Sequence, residues 1–158
     1  MPLLSANLAA QLLDDSLPWD RATQMHIDSF LKHYTLHDSY WIGLHAQCAW
    51  GDEAVAVLSF DPVWNPSVTL PTPVVSNWPW LFLRFNCVNT VLLSGFRDVK
   101  GVQRGISSVE VEHISDEEAA TEFTDQYGAV VSLRHFPLVD ALAMSPNEEV
   151  LELRVSAV

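Results

Sequence analysis

Two alternating runs on either side of a Gly51-Asp52 break, spanning Leu36 to Asp61, constrain this chain more than any other feature. In the first run Tyr40, Ile42, Leu44, Ala46 and Cys48 fall on one face and Trp41, Gly43, His45 and Gln47 on the other. In the second, Ala54, Ala56, Leu58 and Phe60 oppose Glu53, Val55, Val57 and Ser59. Successive side chains of an extended strand point to opposite sides, so a period of two on both sides of a tight break predicts a β-hairpin.

At 158 residues and 49% hydrophobic composition, the chain predicts a single domain, 1–158, able to bury a full core without disulfide or metal. Twenty acids against eight Lys plus Arg give a net charge of −12. Phosphate backbones are bound by neutralising them with Lys and Arg, so this balance excludes nucleic acid as the expected partner and favours a basic protein. The N-terminus has no Lys or Arg before its apolar residues, and no run approaches the length of about 20 residues that spans a bilayer. The expectation is a cytoplasmic protein with no membrane association, in which Cys48 and Cys87 are buried free thiols on apolar strand faces.

Leu4, Leu8 and Leu12 recur at helical spacing and predict a first helix that stops before Asp14 and Asp15. Ser16 can cap a second helix with Pro18 in its first turn and Trp19, Ala22, Thr23, Ile27, Phe30, Leu31 and Tyr34 as its buried stripe. After the hairpin, residues 62–80 hold five of the nine prolines and predict an extended loop, because proline lacks the ladder donor. A third strand runs from Leu81 to Leu93, bulged near Asn89, followed by a glycine-bounded loop, Gly95 to Gly105, that carries Arg97, Lys100 and Arg104. Ile106 to Ile114 predicts a fourth strand with Val109 and Val111 inward and Glu110 and Glu112 outward. Ser115 and Glu118 stand at capping-box spacing and predict a short helix over 116–126. Ala129 to Leu133 and Leu151 to Val155 predict further strands, with a helical turn at Asp140 to Met144 between them. The predicted fold is α+β: two N-terminal helices, residues 1–35, packed on a 36–158 body made of a mostly antiparallel sheet of about six strands and one inserted helix.

Candidate chemistry is sparse. His33, His37 and His45, with Asp38, are the residues that could hold a metal, and a metal-dependent hydrolase using His37, Asp38 and His45 is one alternative. The predicted helix ends near Tyr34, however, which carries His37 away from His33, and no cofactor is expected. His37-Asp38-Ser39 contains the residue types of a hydrolase triad, but neighbours on an extended chain point apart and no G-x-S-x-G is present. Asp38 or Ser39 instead suits a backbone-bonding turn at the start of the hairpin. No phosphate-cradling or dinucleotide fingerprint occurs. The strongest binding feature is aromatic: Trp64, Trp78 and Trp80 lie among prolines, a stiff apolar surface of the kind that interfaces use, with Asp52 and Asp61 at nearby strand ends.

The order Leu36-His37-Asp38-Ser39, then a hairpin closing in Phe60-Asp61 with Trp64-Asn65-Pro66 after it, then Leu83-Arg84-Phe85 and Val88, resembles the small β-rich immunity proteins of bacterial polymorphic toxin systems. It covers residues 36 to 114. The resemblance implies a non-enzymatic cytoplasmic protein that binds a cognate toxin, and it implies no catalytic residues. Read from the aromatic loop and the acids near it, partner contacts are expected at Trp64, Trp78, Trp80, Asp52 and Asp61, and a homo-oligomer built on the aromatic loop is the remaining alternative.

Overall fold

The computed structural model describes residues 4–47, 52–61, 78–96 and 104–153. Helix α1, Ala6–Leu13, starts where the Ser5 hydroxyl accepts the Leu8 amide at 3.1 Å. It ends at Leu13, followed by Asp14 and then Asp15 with φ 57°. A 3-10 turn, Trp19–Arg21, leads to strand β1, Thr23–His26, and to helix α2, Ile27–His33. The remaining strands are β2 (Tyr40–Gln47), β3 (Glu53–Ser59), β4 (Trp80–Phe85), β5 (Thr90–Ser94), β6 (Arg104–Ser115), β7 (Glu118–Asp125), β8 (Val130–His135), β9 (Leu138–Met144) and β10 (Val150–Leu151).

Among the described residues the strand pairs are all antiparallel and run in the order β1-β9-β4-β3-β2-β6-β7-β8-β5, with β10 also on β9. The sheet folds over into two layers. Among the described residues β2 pairs with β6 at Tyr40 with Gly105 and Trp41 with Arg104. At the opposite corner the β4–β5 and β8–β9 connections run side by side, joined where the Phe136 amide donates to Asn86 and the Asn89 amide to Arg134. Leu83 and Phe85 from β4, Ala56 and Leu58 from β3, and Ala141 from β9 thereby face Phe123 of β7 and Leu133 of β8, with Phe30 and Tyr34 packing into the same core. Phe85 spans the layers, its ring 6.1 Å from Phe123 and 4.6 Å from His135.

The outer side of β3, β4 and β9 forms a second core. Val55, Val57, Phe82 and Leu142 pack there against Leu8 and Leu17, with Trp19 and Ala22 alongside. These three strands are buried on both faces. The outer side of β6, β7 and β8 has no such roof among the described residues: Glu110, Glu112, Glu122 and Arg134 are exposed on it.

The α+β expectation is corrected: among the described residues the chain is mainly a ten-stranded antiparallel sheet with two short α-helices. The predicted second helix is divided into the 3-10 turn, β1 and α2, because its supposed single stripe serves two cores. Trp19 and Ala22 belong to the outer one, and Ile27, Phe30 and Tyr34 to the inner. At the break, the His26 imidazole accepts the Asp28 amide at 3.2 Å and caps α2.

The predicted 116–126 helix is strand β7, where Ala119, Thr121, Phe123 and Asp125 are buried in strict alternation. The Ser115 hydroxyl that suggested a helix cap instead accepts the Glu117 amide within a two-residue turn. Asp140 to Met144 is part of β9, and its apolar run reads poorly because both faces are covered. The predicted third strand is two strands, β4 and β5, interrupted where Cys87 takes φ 51°. Cys87 is a free, exposed thiol there, not a buried one. Cys48 lies outside the described residues. A bulge between Trp41 and Gly43 shifts the hairpin's phase, so Trp41 and Leu44 pack on the inner core and Ile42 on the outer.

Candidate interaction face

Three buried polar groupings are the first places to look for chemistry. Asp140 accepts from Arg84 at 3.0 Å, Asn86 at 3.1 Å and Gln24 at 3.2 Å, and Trp19 lies over the Arg84 guanidinium at 4.3 Å. Asp125 accepts from Arg104 at 2.7 Å, and its other oxygen takes the amides of Tyr127 and Ala129, both at 2.8 Å. Burial alone would raise the Asp125 carboxyl, but these bonds outweigh it and hold the group below its ordinary value. In the third grouping Thr121 lies 2.7 Å from His135 Nε2, and His135 Nδ1 lies 2.7 Å from the Phe136 carbonyl. A carbonyl can only accept, so Nδ1 carries the proton, and Nε2 accepts the Thr121 hydroxyl. Each grouping ties neighbouring strands together: β9 to β4 and β1, β7 to β6, and β7 to β8.

His135 has a measurable consequence. Its burial depresses the imidazole's affinity for a proton, the Phe136 bond works the other way, and the charge of His26 adds to the depression. The unfolded chain takes a proton near pH 6.5 while the folded one resists it. The stability due to neutral His135 is therefore complete above that pH and lost as pH falls through it. Denaturant titrations between pH 8 and pH 5 are expected to show stability falling on the acid side, and H135Q is expected to flatten that fall.

The residues singled out from sequence are scattered. Trp78 and Trp80 are 9% and 7% exposed, Trp78 stacking on Tyr40 at 5.4 Å and Trp80 packing in the outer core. As they stand, both lie beneath the surface and offer a partner almost no area. Asp61 is also buried, its amide donating to the Ser39 hydroxyl at 2.9 Å. Asp52 is exposed and lines a groove of 460 Å³ with Glu53, Val88, Asn89, Thr90 and Val91. Trp64 lies outside the described residues.

His37 and Asp38 form an exposed pair at 3.2 Å, whereas Ser39 is buried and its hydroxyl is held by Asp61. These three residues do not converge. Asp38 and Ser39 exchange backbone bonds with Ile106 at the corner where β2 meets β6. The His33 imidazole bonds the Ser29 carbonyl at 2.7 Å, and His45 contacts Gln47 at 3.3 Å. Among the described residues no group of three or more His, Cys, Asp or Glu side chains could hold a metal ion. None of the described helices is long and apolar enough to cross a membrane.

What the sequence reading did not assemble is the bare outer face of the second layer. Register places Glu110 directly opposite Glu122, and Ser132 and Leu92 continue the row across β8 and β5. The next row is Glu112, Ala120, Arg134 and Thr90, with Arg134 drawn toward Glu118 at 3.5 Å. Like charges directly opposed across a strand pair destabilise a sheet, so this acidic centre is not explained by folding. The signal lay in the sequence: Glu122 alternates with Thr121 and Phe123, but the apparent helix cap at Ser115 concealed the period. Compared with family models, curated proteins and solved structures, the chain gives no match.

Proposed function

We propose that this chain is a non-enzymatic, acidic protein-binding domain of the immunity type, acting in the cytoplasm and neutralising a basic protein partner by covering its working surface. The observation that carries this reading is the unroofed, opposed pair Glu110 and Glu122, with Glu112 beside it. A cationic patch laid over the pair removes the repulsion between the two carboxylates, so docking relieves a cost built into the free sheet. The net charge of −12 speeds the encounter with such a partner. Asp52 is a second proposed contact, and Trp64 remains one on sequence grounds. Trp78 and Trp80 become supports beneath the surface instead of contacts.

The test is affinity capture by the wild-type chain and by an E110K/E122K variant in parallel, followed by titration of the purified captured protein. A basic protein retained by the first is expected to bind the second at least tenfold more weakly, about 1.4 kcal/mol. Its affinity for the wild type should fall with added salt. Equal binding by both chains would contradict this assignment of the face.

A further inference from the structure

Strand β5 ends the sheet order, and among the described residues it pairs with β8 alone. Its sequence, Thr90-Val91-Leu92-Leu93-Ser94, contains no charge and no proline, the devices that normally protect an open edge. Leu92 and Leu93 are 61% and 59% exposed, and Val91 and Phe96 are exposed beside them. Register puts Val91 and Leu93 on the inner face with Leu133 and Val131, where the core runs out, and Leu92 on the outer face with Ser132.

We propose that β5 is the seam of a homodimer, in which a second copy of this chain pairs with it antiparallel about a two-fold axis at Leu92. The strand is self-complementary in that register. Leu92 meets Leu92, Val91 meets Leu93, and Thr90 meets Ser94, so apolar side chains fall opposite apolar ones and hydroxyls opposite hydroxyls.

The area supports this occupant. Val91, Leu92, Leu93 and Phe96 form a patch of a few hundred Å², as large as a typical monomer exposes. Two copies and their strand backbones would bury about 1,000 Å², the lower limit for a specific interface, so dimerisation is weak, on the order of micromolar. The acids of the outer face, Glu110 and Glu122, lie on β6 and β7, with β8 between them and the seam. Joining the two copies gives a continuous eight-stranded layer that presents both acidic faces on one side.

Sedimentation equilibrium of the full chain tests this proposal. Wild-type mass is expected to rise from monomer to dimer with concentration, and the dimer to strengthen with salt as the repulsion between two chains of charge −12 is screened. L92K places like charges against each other at the axis and should leave a monomer. L92C, in a background with Ser at Cys48 and Cys87, should oxidise to a covalent dimer, because opposed strand residues lie about 4.5–5.5 Å apart at Cα, within disulfide reach. A wild-type chain that stays monomeric to millimolar concentration, a dimer that survives L92K, or a dimer without the L92C cross-link would each overturn the proposal. L92K should still bind the basic partner and E110K/E122K should still dimerise, so the two readings fail separately.

Discussion

Replacing Phe85 by alanine is expected to destabilise the fold by about 3–5 kcal/mol, the usual effect of emptying a fully buried phenylalanine site. Phe85 has no exposed surface, and its ring meets Phe123 edge-on at 85° while also touching His135. It is therefore a contact between the two layers and not within one. Both layers should lose stability together, visible as one cooperative urea transition moved to lower midpoint with an unchanged slope. L92A supplies the contrast. Leu92 is mostly exposed on an edge strand, and in the dilute monomer its truncation should change stability by no more than about 0.5 kcal/mol. Equal effects from the two substitutions would mean that the layers do not pack through Phe85.

The second large effect is expected at Asp125. Its side chain and that of Arg104 are both largely withdrawn from water, and Arg104 lies where β2 hands over to β6. Removing the carboxylate in D125A takes away the anion facing a largely buried guanidinium and frees two turn amides, so a loss of about 3–5 kcal/mol is expected. D125N separates the two contributions. An amide oxygen can still accept from Tyr127 and Ala129, but the charge opposite Arg104 is gone, so D125N should fall between wild type and D125A. The pH dependence has a definite sign. Because the folded carboxyl is held below its ordinary value of 3.8, its contribution is complete above about pH 4 and lost as pH falls through the folded value. The part of the acid-side loss due to Asp125 should vanish in D125N.

The sequence was legible where a period of two flanks a tight break, and illegible where no alternation marks a run or where another local signal competes with it. Tyr40–Gln47 and Glu53–Ser59 show the period of two and form the hairpin, although one bulged residue at Ile42 exchanged the faces before it. β9 carries Val139 and Ala141 toward one core and Leu142 and Met144 toward the other, so no alternation marks it as a strand. β7 does alternate, but a Ser-x-x-Glu pattern serves a tight turn as well as a helix start. Pro-flanked Trp78 and Trp80 looked like surface because local sequence cannot show that Phe60 and Pro79 bring their segment back onto the hairpin. The acidic face was hidden for the same reason: Glu110 and Glu122 become neighbours only through strand register.

The claim on which the functional reading rests is that the two layers differ outside: α1 roofs one, and the other is open. A neutral, soluble paramagnetic agent added to the isotopically labelled chain measures this directly. Strong broadening is expected at Ser108, Glu110, Glu122 and Ser132, with Val55, Val57, Phe82 and Leu142 left sharp. Sharp signals from Glu110 and Glu122, or broadening shared equally by the two sets, would contradict it.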